Sequence, residues 1–361
     1  MLSDAPESSR QDIHMEELLS AFDSAQVSVA LGVLVGVLFG VFAQRSHFCL
    51  RAATVEFWRG QPAVKLTIWL LTFSSALLLV QIMISNGWLQ TASIRQLSTT
   101  GSMSGAVVGG SLFGIGMILA RGCASRLLVL SATGNQRALV AGLIVTVASQ
   151  ASLRGILSPL RESVSGWWLV DAAQRNLSSM LPANGALVLG SAILITAVWL
   201  SRRSRTSIWL QVGAVGVGAT IALGWAVTQW HSGWSFAVIP VKSVSFTGPS
   251  ADTLMGIIST PQFPMSFDIG IVMGVFAGAF LASVVAGDFK LQTFTEETGL
   301  SRYILGAVLM GFGGMLAGGC AVGAGITGGS VMAITAWVAL LFMWLAAGVT
   351  DAIIDRPAVN R

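Results

Sequence analysis

The sequence predicts an all-α polytopic membrane protein: about nine transmembrane helices, short re-entrant or broken helices, and an inverted internal repeat. Three observations carry this. Hydrophobic residues make up 54% of the chain and charged residues 10%, against roughly 25% charged in an average soluble domain. Several apolar stretches reach, or nearly reach, the about 17–25 residues a helix needs to cross a bilayer. Finally, Gly114-Ile-Gly-Met-Ile-Leu-Ala-Arg-Gly-Cys123-Ala124 recurs as Gly311-Phe-Gly-Gly-Met-Leu-Ala-Gly-Gly-Cys320-Ala321. Aligned on the cysteines, the two share Gly, Gly, Leu, Ala, Gly, Cys and Ala at the same offsets, and Gly109 matches Gly306.

Taken in order, residues 1–26 form a polar tail with six acidic residues and no apolar centre, unlike a signal peptide. Helices are expected near 27–44, 64–85, 103–120, 138–157, 184–200, 207–229, 267–286, 303–318 and 330–349. Residues 121–135 and 319–330 are too short to cross and rich in Gly, Ser and Thr, so they read as re-entrant or broken segments. Such backbone is tolerated only beside protein or a water-filled cavity. The stretches 155–182 and 231–266 are expected to add short surface helices, and residues 351–361 form a second tail.

Lys and Arg set the orientation. Counted alternately, the side of the N-terminal tail holds six and the other side fourteen of the 20. The N-terminus is therefore expected in the periplasm and the C-terminus in the cytoplasm. Trp88, Trp167, Trp168, Trp230 and Trp234 then mark the outer interface, and Trp58, Trp199 and Trp209 the inner one. In this topology Cys123 and Cys320 are approached from opposite sides, so the repeat is inverted. Its halves run about 27–160 and 206–350 within a transport domain of 27–350, with the helix near 184–200 as connector. Gly32, Gly36 and Gly40 match Gly270, Gly274 and Gly278 in spacing, yet those two helices run the same way; the match reads as a shared small-residue packing face.

Composition also excludes. The net charge of +4 is spread over helix ends with no basic face, so nucleic acid is not a partner. No phosphate-binding loop ending in Lys-Ser or Lys-Thr is present, so ATP hydrolysis is not expected, and transport would draw on an ion gradient or on metabolism of the product. Three cysteines without a Cys-x-x-Cys pair, and three histidines, do not make a metal or dithiol centre; no cofactor is expected. His14, His47 and His231 fall in the tail, at a helix end and in an outer loop, so a catalytic triad is not expected.

Glycine-rich helices serve close packing, and a buried cysteine often acts as a small hydrophobe. Two copies in register point instead to a transporter site at a repeat junction. Leu-Ala-Arg-Gly-Cys123-Ala-Ser-Arg, Ala-Gly-Gly-Cys320-Ala-Val-Gly and His47-Phe-Cys49-Leu-Arg51 resemble the three cysteine motifs of the YeeE/YedE family, over about Val27 to Gly348. The first copy departs in carrying Arg121, Ser125 and Arg126 where the family motif is glycine-rich. The resemblance implies a bacterial inner-membrane protein that takes up thiosulfate or a related sulfur or selenium compound, with hand-off to a TusA-like cytoplasmic sulfur carrier.

A thiol suits that substrate, because it is polarizable and the terminal sulfur of thiosulfate is a large, soft acceptor. Helix N-termini after Cys123 and Cys320 would offer N–H groups to the oxygens. The pathway residues expected are Cys49, Cys123, Cys320, Arg121, Arg126, Gly122 and Gly319. Cys123 is the expected anchor, with Arg121 and Arg126 holding the oxygens, and Cys49, outside the duplication, serves exit. The alternative is a membrane sulfurtransferase or thiol-redox component in which Cys123, its pKa lowered by Arg121 and Arg126, carries a persulfide. The bland reading of Arg45, Arg51, Arg121 and Arg126 is topology and lipid headgroups; of Arg154, snorkelling; of Glu56, Asp268 and Asp288, helix capping. A membrane core nearly free of charge is expected.

Overall fold

Glycine decides which helices meet. The computed structural model describes residues 23–61, 63–182, 184–235, 238–259, 265–293 and 299–355; Arg10, His14, Arg356, Arg361 and most of the acidic tail lie outside them. The main helices are α1 (Ser24–Ser46), α2 (Leu50–Trp58), α3 (Val64–Ser85), α4 (Met103–Leu119), α5 (Ala124–Ala132), α6 (Gln136–Arg154) and α7 (Ser158–Gly166). After them come α8 (Gly185–Arg203), α9 (Ile208–Trp234), α10 (Thr247–Ser259), α11 (Phe267–Val285), α12 (Leu300–Leu316) and α13 (Ile334–Ile354). Between α12 and α13 lies a π-helical turn, Ala321–Thr327. Among the described residues eight helical stretches are long and apolar enough to cross a membrane, and α6 with α7, bent by 68°, makes up to nine.

The glycine stripes of α1 and α11 pack on each other in parallel. A Cβ at Gly36 would meet Ile271 O at 2.6 Å and Gly274 Cα at 3.0 Å. Helices α4 and α12 do the same antiparallel: a Cβ at Gly109 would meet Gly313 O at 2.6 Å, and one at Gly116 would meet Gly306 O at 2.5 Å. Contact this close replaces the hydrophobic drive that lipid cannot supply with dispersion between backbones. The helices leading to the two repeated cysteines therefore run in opposite directions. Helix α8 packs on α3 and leaves Val188, Ile195 and Trp199 exposed.

Several expectations fail here. Helix α2 (Leu50–Trp58) lies between the first two expected spans, where no helix is expected. Residues 247–259 are only partly at the surface: Thr247, Pro249, Ala251, Thr253 and Gly256 are buried, while Ile257 and Ile258 are exposed. The stretch 155–182 includes one strand of a two-residue antiparallel pair, Gly101–Ser102 with Leu169–Val170. His231 is not in a loop: it is buried in the last turn of α9, within hydrogen-bonding distance of Ser24 and Ser28.

Charge is buried at the ends of the helices. Asp351 of α13 is fully buried and receives Arg59 Nε at 2.8 Å and Nη2 at 2.7 Å. Asp355 takes Arg302 at 2.8 Å and Arg51 at 3.7 Å. Arg51 and Arg59 thus tie both ends of α2 to the end of α13 rather than facing headgroups. Arg175, also buried, donates to Thr99 O at 2.6 Å and Thr335 Oγ1 at 3.2 Å. Burial, then the nearby Arg95, lowers its pKa from the ordinary guanidinium value. Glu56 does cap a helix, accepting from Leu66 N at 2.7 Å at the start of α3.

Candidate functional site

Each cysteine follows the same backbone turn. Two positions before it stands a residue with left-handed φ: His47 at 53°, Arg121 at 54° and Gly318 at 82°. Each cysteine is then the N-cap of the next helical segment, Cys49 of α2, Cys123 of α5 and Cys320 of the π-helical turn. A left-handed non-glycine residue costs on the order of 1–3 kcal/mol, and such strain collects at functional sites. All three breaks are therefore built alike, although one lies outside the duplicated segment. The buried Gly122 precedes Cys123, and Gly319, at φ 157°, precedes Cys320.

The structure brings Cys49 and Cys123 together, near enough for each thiol to influence the other. Ser125 Oγ lies 3.4 Å from Cys123 Sγ. Arg126 faces the same pair, its Nη1 3.5 Å from Gln44 Oε1, while Arg121 is exposed. Of the two arginines expected beside Cys123, only Arg126 is turned inward. Cys123 is fully buried and Cys49 half-buried, and both are free thiols.

Cys320 stands apart, beside α10. Its sulfur accepts from Gly323 N at 3.4 Å, and the N–H groups of Val322, Phe246 and Thr247 also bear on it. The extended residues leading into α10 are pinned by their neighbours: Thr228 Oγ1 donates to Lys242 O and Thr327 Oγ1 to Val244 O, each at 2.7 Å, and Ser243 Oγ to Ile221 O at 2.6 Å. A polar cleft of about 360 Å³ opens here, on the face where α1 and α11 begin. Its walls carry Arg95, Lys242, Asp252, Asp268, Gly319 and Thr247. Ser266 is the N-cap of α11, and Asp268 stands in its first turn, where an acidic charge suits the helix end, and pairs with Lys242 at 2.5 Å. Asp252, on the short α10, is raised above the usual carboxylate value by burial and then by Asp268, against Arg154 and Lys242.

The sequence reading missed this second cluster. Its signal was there: Ser243, Ser245 and Thr247 alternate before Gly-Pro249, a strand-like polar pattern opening a helix with a proline in its first turn. The face with Cys49 and Cys123 was half read, the missing parts being α2, Gln44 and Ser125.

A helical membrane bundle whose chain breaks three times beside buried polar groups, with a charged cleft leading in from one face, has the build of a transporter. The chain belongs to the sulphur transport family, whose model matches residues 45–349 and so spans all three cysteines. It is 28% identical over 331 residues to the thiosulfate transporter TsuA of Spirochaeta thermophila, covering 87% of this chain and 95% of that one. To the thiosulfate transporter TsuA of Escherichia coli it is 25% identical over 346 residues, 87% of this chain and 91% of that one. A shorter likeness, 27% over 129 residues, joins it to the probable transporter YedE of Salmonella typhimurium, covering 34% and 32% of the two chains.

Proposed function

We propose that this protein carries thiosulfate, or a closely related sulfur anion, inward across a bacterial inner membrane along a path lined by Cys320, Cys123 and Cys49. The observation that carries the reading is the pairing of the Cys49 and Cys123 thiols at two helix N-caps, in a chain of the sulphur transport family. Two thiols can meet the soft sulfur of the anion while helix N-termini and Arg126 meet its oxygens. The cleft at Arg95 and Lys242 is the entrance from the periplasm, and the Cys49–Cys123 pair lies toward the cytoplasm. Cys320 stands between them.

The path is assigned to two inverted halves. In this scheme α1–α3 correspond to α9–α11, α4 to α12, α5 to the π-helical turn and α6 to α13, with α8 as connector. The antiparallel glycine contact of α4 with α12 and the repeated turn before each cysteine support it. Moving two negative charges inward against about 100 mV costs about 4.6 kcal/mol, so a cotransported cation or rapid removal of the product is needed. A TusA-like sulfur carrier on the cytoplasmic side would serve removal.

Purified protein in liposomes preloaded with unlabelled thiosulfate should accumulate external radiolabelled thiosulfate by exchange, which needs no driving ion, and external unlabelled sulfate should compete poorly. Accumulation no faster than in empty liposomes would end this reading. The closeness of Cys49 and Cys123 also favours a second one, a sulfurtransferase. A persulfide on either cysteine after turnover, seen by mass spectrometry, would select it over transport of the intact anion.

A further inference from the structure

The cleft leading to Cys320 contains a hydroxyl with no explanation in the fold. Thr247, the first residue of α10, is 1% exposed, and its Oγ1 is buried without a hydrogen-bond partner. Among the described residues no other serine or threonine hydroxyl is left in that state. Its surroundings do not lack acceptors and donors, since Ser243 and Thr327 close by are both satisfied. A buried polar group left unpaired is costly, and each instance in a native structure calls for a reason. Packing gives only half of one. The Thr247 methyl lies against α12, where Cγ2 would be 3.0 Å from a Cβ at Gly314, which accounts for a β-branched residue but not for the oxygen.

The position of the oxygen supplies the rest. Thr247 lines the polar cleft together with Gly319, Gly323 and Thr327, and its backbone N–H bears on Cys320 Sγ. Cys49 begins one helix and faces Cys123 at the start of another. Thr247 begins α10 and faces Cys320 in the same manner. Where one cluster has a thiol, the other has a hydroxyl.

We infer that Thr247 is a substrate-binding residue, its hydroxyl and the Cys320 thiol together forming a binding station for a small sulfur oxyanion at the inner end of the cleft. The inference rests on the transport reading above. The Cys320 sulfur already accepts the Gly323 N–H at 3.4 Å, so its S–H remains to donate to the soft end of the anion. The hydroxyl is the smaller, harder donor and forms the shorter bond, which suits an oxygen of the sulfonate end. The anion is thus held end-on, sulfur to Cys320 and oxygen to Thr247, before it moves to the Cys49–Cys123 pair.

The test is uptake of radiolabelled thiosulfate across a concentration series by wild type, Thr247→Val and Thr247→Ser, normalised to protein in the membrane. Valine keeps the methyl on Gly314 and removes only the donor. Its KM should rise about tenfold or more, the usual loss for a hydrogen bond to a charged group, while serine should stay within about threefold. If valine transports with the wild-type KM, the inference is wrong although the transport reading stands. If wild type itself does not take up thiosulfate, both fall. Should the valine variant fail to accumulate, Thr247→Cys decides: a thiol there weakens the oxygen contact, so competition by sulfite should weaken relative to Thr247→Ser. Equal competition in the two would overturn the inference.

Discussion

Consider replacing Cys49 and Cys123 by alanine, singly and together. Cys123 is fully buried and Cys49 half-buried, so water does not freely take the place of a lost thiol. Each replacement removes one donor to a partly dehydrated anion, a loss of about 1.5–3 kcal/mol. At about 1.4 kcal/mol per decade, either single variant should lower thiosulfate kcat/KM about ten- to hundredfold. The sequence alone ranks Cys49 last, as an exit residue. The nearness of the two thiols instead leads us to treat them as one proposed station, with the Ser125 hydroxyl 3.4 Å from Cys123 Sγ as a residual donor. Once either thiol is gone, the second has less to lose. The double variant should therefore fall short of the summed single losses by about 1 kcal/mol or more, a coupling typical of groups in contact. The assay is initial uptake in liposomes at equal protein. Full activity in Cys49→Ala beside a dead Cys123→Ala would refute the shared station, and strict additivity would refute the coupling.

Four further outcomes follow from other parts of the molecule. Asp351→Ala removes two of the three hydrogen bonds of Arg59, leaving the one to Asp355 O at 3.2 Å; because Arg59 is 27% exposed and can turn to water, the cost should be about 2–3 kcal/mol rather than the full value for a buried pair. An unchanged thermal midpoint in detergent would count against this. Arg121→Gly should keep uptake and gain about 1 kcal/mol of stability, since glycine accepts φ 54° at no cost and the side chain is exposed; lost uptake would restore Arg121 to the site. The Asp252 carboxyl is raised above 3.8 by burial first, then Asp268, so the folded chain holds its proton more tightly than the unfolded one. The stability it contributes is complete below 3.8 and is lost as pH climbs through the raised value, so Asp252→Asn should gain on wild type toward neutral pH. A difference in midpoint that does not vary with pH would contradict it. For orientation, a reporter active only in the periplasm should work when fused at Ser3 and be silent after Arg361, and the reverse pattern would invert the topology.

What the chain alone determined is what depends on local chemistry. The crossing helices are legible because apolar residues must run unbroken for the bilayer's thickness, so hydropathy marks them one at a time. The breaks at Cys123 and Cys320 are legible because Gly-Cys follows a small-residue helix where the apolar run ends. The packing of α1 on α11 was written in Gly32, Gly36, Gly40 and their matches, because only glycine permits backbones so close. The tertiary structure decided which break faces which. Cys49 finds Cys123, Thr247 finds Cys320 and Arg59 finds Asp351 across helices distant in the chain, and no local pattern specifies such pairs. Helix α10 illustrates the reason: its polar residues and proline look like surface when read alone, and are buried because α6 and α11 pack on it, with the Thr247 methyl lying against Gly314 of α12. A buried polar side chain is tolerated where a partner meets it, and that partner is supplied by the fold.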